Sequence, residues 1–342
     1  MKLRGVVPVM MLPLLDDESI DEATFRKEVD FAIEAGAAAV CAPGFATEFY
    51  KLTDPERYRV AQLLVEQAAG RVPAIVSTGA GSVHATVDFS RYAESIGANC
   101  LMVTAPKWCS LGLREMTTFY ESVCRSVRIP VMIQDADFTG TGLPAKLFVQ
   151  LAERCPNLEF AKLEIVLPGW KATEIIQLSE GRLQVLYGLG GVALMDGLAH
   201  GAVGVMPGPA LIELYARIFQ LFDEGQFKEA KELFYCLQPY LTFALQHLEL
   251  AVQIEKRALK RRGVFASDRA REPTLHLDQE YQRQMDDLVE DVVADLVGDL
   301  VAVLSSYSAR LHGPRQAPDG DHRARTDWAG RAGGARAGVG GG

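Results

Sequence analysis

The sequence predicts an α/β protein: a (β/α)8, or TIM, barrel with a C-terminal helical extension and a disordered tail. Three observations predict it. Short apolar, β-branched runs recur eight times before residue 207. Stretches with helical period and helical punctuation lie between them. Each strand-then-helix unit takes roughly 25 to 35 residues, and eight of them match a barrel of about 250 residues.

The first run, "GVVPVMM" (5–11), lies within "MKLRGVVPVMMLPLLDD". That segment imitates a signal peptide, but Pro8 and Pro13 interrupt it and no small-residue cleavage site precedes the acidic stretch, so it reads as strand one. "DEATFRKEVDFAIEAG" follows as a helix that opens on acidic residues, places Phe25, Val29, Phe31 and Ile33 toward one side, and stops at Gly36. Strand two is "AAVCAPG" (38–44). The helix "TDPERYRVAQLLVEQAAG" has Thr53 or Asp54 as N-cap, Pro55 in its first turn and Gly70 at its stop. "PAIVSTG" (73–79) and "CLMVTAP" (100–106) are strands three and four, followed by the helices "SVHATVDFSRYAESIG" and "LREMTTFYESVCRSV". Strands five to eight are "PVMIQD" (130–135), "LEFAKLE" (158–164), "LQVLYG" (183–188) and "AVGVM" (202–206).

A doubly wound open sheet is the alternative. It would want a glycine fingerprint at the first βα turn, and "MMLPLLDDES" has none. The barrel is therefore expected over residues 1–209. Residues 210–307 are helical only and form the extension. Residues 308–342 shift to Gly, Ala, Arg, Asp and Pro, which bury too little apolar surface to offset the entropy of ordering.

Of the 342 residues 49% are hydrophobic, ample for a core, and the formal net charge of -9 argues against nucleic acid or an anionic membrane as partner. No run approaches the roughly 18 apolar residues of a membrane span. The six cysteines show no CxxC or metal-ligand spacing and read as buried thiols of a cytoplasmic protein, Cys41 on strand two included. The six histidines are dispersed, so no metal site is expected. The basic run "KRALKRRG" reads as a solvated helix end.

Reactive groups in such a barrel lie at the carboxyl ends of strands. Lys162 stands near that end of strand six; Glu164, two residues on, points to the same side, with Phe160 beneath. A lysine is almost never fully buried unless it is paired or employed in chemistry. A desolvated amine has its pKa depressed below about 10.4, leaving neutral amine to attack a carbonyl. The plainer alternative is a structural Lys162–Glu164 ion pair.

Taken together, "GFATEFYKLTDPER", "GRVPAIVSTGA", "IPVMIQDADFTGTGL", "AKLE" and "GAVGVMPG" resemble the dihydrodipicolinate synthase and N-acetylneuraminate lyase superfamily, in consistent order from residue 3 to about 295. The resemblance implies a cofactor-independent lyase in which Lys162 forms a Schiff base with a small-molecule 2-oxo acid. It implies that Phe45, Ala46 and Thr47 hold the substrate carboxylate, and that the chain is a homo-oligomer, a tetramer. Gly204, within "GAVGVMPG", is a further candidate for the substrate wall.

Synthases and aldolases of the superfamily carry a tyrosine at strand five where this chain has Gln134, and paired threonines where it has Phe45 and Ala46. An aromatic relay position after strand four is Lys107, with Trp108 beside it. An amide orients a substrate but cannot shuttle a proton. The pattern is instead similar to the 2-keto-3-deoxyarabonate dehydratase branch, which implies dehydration or retro-aldol cleavage of a 2-keto-3-deoxy sugar acid. Glu48, Glu164 and Thr47 are the candidate acids and bases, not separately assigned. Asp137 stands where that branch has proline and would disfavour a second anionic group on the substrate. The alternative function is a barrel that binds a 2-oxo acid without turnover, as a sensor or scaffold. Glycines after strands seven and eight could bind phosphate, or simply let backbone approach the ligand.

Overall fold

The computed structural model of the chain describes residues 1–106 and 111–298, with side chains to residue 293. Lys107, Trp108, Cys109 and the tail expected to be disordered lie outside the described residues.

Eight parallel strands form one sheet: β1 (Gly5–Val6), β2 (Val40–Ala42), β3 (Ala74–Ser77), β4 (Cys100–Thr104), β5 (Val131–Asp137), β6 (Leu158–Ile165), β7 (Gln184–Tyr187) and β8 (Gly204–Val205). Each lies within or against one of the eight apolar runs, and their order around the sheet is β1-β8-β7-β6-β5-β4-β3-β2. Backbone bonds from Ala38 N–H to Val6 O and from Cys41 N–H to Pro8 O, with the Val9–Cys41 bridge, join β1 to β2 and close the barrel. β1 is shorter than its apolar run because Pro8 has no N–H to donate to a ladder.

Helices alternate with the strands: α1 (Glu22–Glu34), α2 (Asp54–Ala68), α3 (Val83–Ser95), α4 (Leu113–Ser126), α5 (Ala145–Arg154), α6 (Pro168–Leu178), α7 (Leu194–Ala199) and α8 (Ile212–Asp223). α9 (Phe227–Ala244), α10 (Leu248–Arg261) and α11 (Gln279–Gly298) follow. Local chemistry sets the starts. Thr53 closes a full capping box with Glu56 ahead of α2, and Asp21 and Ser82 accept from Thr24 N–H and Ala85 N–H at the heads of α1 and α3. In α1 the buried stripe is Phe25, Val29 and Ala32, with Phe31 and Ile33 only flanking it. Glu28 shares that stripe because its carboxylate accepts the Met11 N–H at 2.8 Å.

The strands' period of two divides the apolar residues into two cores. Leu163 and Ile165 face the helices, while Phe160, Met132, Met102, Ile75, Cys41 and Leu186 fill the barrel axis. Burying Phe160 alone stabilises by about 2–3 kcal/mol. The inner layer thus ends below Lys162, and the next inward residues upward are polar.

Candidate active site

β5 and β6 pair with Gln134 opposite Lys162 and Ala136 opposite Glu164, and β4 pairs with Thr104 opposite Gln134. Parity then directs Lys162, Glu164, Gln134 and Thr104 inward over the apolar layer. Asp135, of opposite parity, points outward to Lys171 Nζ at 2.8 Å, and burial raises its pKa against that pairing.

The inward groups form one connected array. Lys162 Nζ lies 3.0 Å from Glu164 Oε1, with 3% and 8% of the two side chains exposed. Gln134 donates its amide to Glu164 Oε2 at 2.6 Å and accepts from the Thr104 hydroxyl, and Leu189 N–H donates to Glu164 Oε1 at 3.3 Å. Glu164 is thereby held by a cation, an amide and a backbone N–H, while Gln134 orients it and moves no proton. Beneath them Cys41 is buried, and desolvation pushes its thiol up to about 12, so it is a packing residue and no nucleophile at neutral pH.

Lys162 and Glu164 open into a cavity of about 760 Å³. Its walls are largely apolar: Met11, Phe45, Phe138, Met206, Leu241 and Leu245 among others. Ala46 also lines it, and among the described residues the backbone N–H groups of Ala46 and Thr47 make no intramolecular hydrogen bond. Ala46 is half-buried on the cavity wall, whereas Thr47 behind it is fully buried. The Thr47 hydroxyl is not free, since it donates to Met10 O at 2.6 Å and accepts Gly44 N–H at 2.9 Å.

Five of the expected residues do not line this cavity: Gln134 and Thr47, which lie behind its wall, and Glu48, Asp137 and Gly204. Glu48, fully buried, adopts a left-handed backbone (φ 57°) and turns its carboxylate to Lys256 and to Lys51, the latter at 3.0 Å, while accepting Arg271 N–H at 3.0 Å. Every strong bond it makes is structural. Asp137 shares the outward parity of Asp135 and accepts Gly142 N–H at 3.1 Å, holding the loop that presents Phe138 and Thr139 to the cavity instead. Gly204 sits low in β8, where a Cβ would meet Gly5 O at 2.8 Å; its absence allows strand contact, and Pro207 and Gly208 line the cavity above it.

The glycines after β7 and β8 make room for carboxylates. A Cβ on Gly188 would lie 2.2 Å from Glu164 Cγ, and one on Gly208 would lie 2.3 Å from Glu255 Oε2. With an acidic side chain against each loop, neither forms a phosphate cradle. Sequence reasoning missed Thr104, whose signal is a hydroxyl at the end of β4 in register with Gln134. It also missed Tyr240, His247, Glu249 and Glu255, which reach the cavity from α9 and the start and body of α10. Among the described residues no three His, Cys, Asp or Glu converge as metal ligands, and no helix is long and apolar enough to cross a membrane.

Residues 2–292 match the dihydrodipicolinate synthetase family. The chain is 28% identical over 282 residues to the L-2-keto-3-deoxyarabonate dehydratase of Azospirillum brasilense, covering 80% of this chain and 90% of that protein. It is 31% identical over 159 residues to the 4-hydroxy-tetrahydrodipicolinate synthase of Salinibacter ruber, 46% of this chain and 53% of that one. The structure of the 4-hydroxy-tetrahydrodipicolinate synthase of Methylacidiphilum fumariolicum matches with a TM-score of 0.79 at 17% identity, covering 90% of this chain and 99% of the other, a likeness of fold.

Proposed function

The chain belongs to the dihydrodipicolinate synthetase family and is a lyase, and on that premise we propose that it dehydrates a 2-keto-3-deoxy sugar acid through an imine on Lys162. The observation that carries the proposal is the buried Lys162–Glu164 pair, braced by Gln134, at the floor of the cavity. The similarity to a 2-keto-3-deoxyarabonate dehydratase supports dehydration over retro-aldol cleavage, which would begin with the same imine.

In this reading the substrate carboxylate accepts from the N–H groups of Ala46 and Thr47, which places the 2-oxo carbon toward Nζ. Glu164 is the nearest base to the Lys162 ammonium and takes its proton, freeing the lone pair for attack. Glu164 returns that proton to the carbinolamine hydroxyl, which leaves as water; the resulting protonated imine withdraws electrons from C3, and Glu164, again a carboxylate and two residues from Lys162 on the same side of β6, removes the C3 proton. Gln134 keeps the carboxylate aimed. A base beside the imine also supports turnover over silent binding, since a scaffold needs the lysine and the carboxylate site but no base.

Borohydride reduction in the presence of pyruvate, with peptide mapping by mass spectrometry, tests the reading. A reduced adduct on Lys162, lost in Lys162→Ala, is the expected result. An adduct on another lysine, or none in the wild type, would sink it.

A further inference from the structure

Dehydration moves two protons. One leaves C3 for Glu164 and one joins the departing hydroxyl; the second comes either from Glu164 returning what it took or from another acid that faces the cavity. None of the other candidates fills that role: Asp137 and Glu48 point elsewhere, and the Thr47 hydroxyl is spent on Met10 O.

Glu255 is placed for it. It lies on α10, between the buried Ile254 and Lys256, yet keeps partial exposure, and it lines the same cavity as Lys162 and Glu164. Two donors aim it: Ala210 N–H to Oε2 at 3.1 Å and the Tyr240 hydroxyl to Oε1 at 3.2 Å. Gly208, also on the cavity wall, admits it where any Cβ would collide with the carboxyl. Among the described residues it forms no ion pair, unlike Glu48, Glu164 and Glu249. Burial raises its pKa from the ordinary carboxylate value to about 7, the charge of Arg262 offsetting only part of it, so about half of these carboxyls hold a proton at neutral pH.

We propose that Glu255 is the catalytic acid of the elimination, delivered by a C-terminal helix, and that it protonates the hydroxyl leaving from C4. The proposal rests on the dehydratase reading above. After Glu164 has taken the C3 proton, the enamine electrons form the C3–C4 double bond and restore the iminium as the C4–O bond breaks. The leaving oxygen takes the Glu255 proton and departs as water. Glu164 has gained one proton and Glu255 has lost one, so the step balances without oxidant or cofactor. Hydrolysis of the imine and proton return through solvent complete the cycle.

The test compares wild type with Glu255→Gln, which keeps shape and hydrogen bonding but has no proton to give. The pyruvate adduct on Lys162 is trapped in both, pyruvate having no hydroxyl to lose. Turnover of a 2-keto-3-deoxy sugar acid is then followed against pH. The groups facing Glu255 are Tyr240 of α9, Tyr215 of α8, Glu28 of α1, Arg262 of its own helix, and Lys162 and Glu164 across the cavity. We expect the adduct in both proteins, kcat reduced about 10²–10⁴-fold in Glu255→Gln, and loss of the wild-type decline in kcat as pH rises through about 7. Turnover within threefold of wild type with an unchanged pH profile overturns the proposal and leaves the imine reading standing. Loss of the pyruvate adduct in Glu255→Gln overturns it in favour of a structural role. No adduct in the wild type overturns both.

Discussion

Replacing Glu48 by alanine separates the role its sequence position suggested from the one its surroundings assign. The carboxylate sits between Lys256, fully buried, and Lys51, 5% exposed, and accepts Arg271 N–H. Removing it leaves the Lys256 ammonium buried with only Arg269 O at 2.8 Å as partner. Breaking one side of a buried pair costs about 3–5 kcal/mol, because the surviving charge has lost both water and counter-ion. At about 2 °C per kcal/mol for a chain of this size, Tm falls by roughly 6–10 °C. Glu290→Ala is the control: its partner Arg261 is 51% exposed and Glu290 55%, so solvent screens the pair and little stability is lost there. Urea unfolding of the three proteins, followed by fluorescence, gives the comparison, and 2-oxo acid kinetics on the same samples give the function. The structural role predicts a large stability loss with KM rising, since Ala46 and Thr47 immediately precede Glu48. If Glu48→Ala is no less stable than Glu290→Ala, or abolishes kcat at full stability, the reasoning is refuted and Glu48 acts on substrate.

Two further outcomes follow from the cavity. Gly188→Ala places a Cβ 2.2 Å from Glu164 Cγ, so Glu164 must leave its contacts with Lys162 and Gln134; kcat should fall about 100-fold with circular dichroism unchanged, and activity near wild type would mean that Glu164 is free to move. Glu255, with its folded pKa raised from 4.5 to about 7, contributes stability that is fully present below about 4.5 and lost as pH rises through about 7. Relative to Glu255→Gln, the wild type should therefore lose about 3 kcal/mol between pH 4.5 and 7, and urea midpoints that run parallel across that range would contradict the burial argument.

The strands were legible because each inner and outer face is apolar, so β-branched runs stand out against amphipathic helices with visible caps such as Thr53. Lys162 and Glu164 were legible from strand parity, whereas Gln134 and the proposed backbone site at Ala46 and Thr47 were read only from the family resemblance. Glu48 was not, since its determining partner Lys256 is 208 positions away and no local pattern announces the pairing. Glu255 was illegible for another reason: on a helix read as an extension it is one polar residue among many, and only the cavity tells it from a solvated glutamate. Asp137 failed through parity, because the inward residues of β5 are the even-numbered ones.

α10 has two adjacent faces with two tasks. Leu248, Val252 and Glu255 recur at three- and four-residue spacing and line the cavity, as neighbours on one stripe of a helix must. Glu249 and Lys256, two turns apart, form the next stripe and grip the strand-two loop, Glu249 through Lys51 Nζ at 2.6 Å and the Tyr50 hydroxyl, Lys256 through Glu48. The same rigid element therefore sets the position of the loop that presents Ala46 and Thr47 and the position of the Glu255 carboxyl. In the proposed reaction one acts on the substrate carboxylate at C1 and the other on the hydroxyl leaving from C4. A helix that fixes both fixes the distance between them, and with it which hydroxyl can leave while C2 is held on Lys162. The position of the elimination is then a property of how α10 docks on the barrel as much as of the strands that carry the lysine.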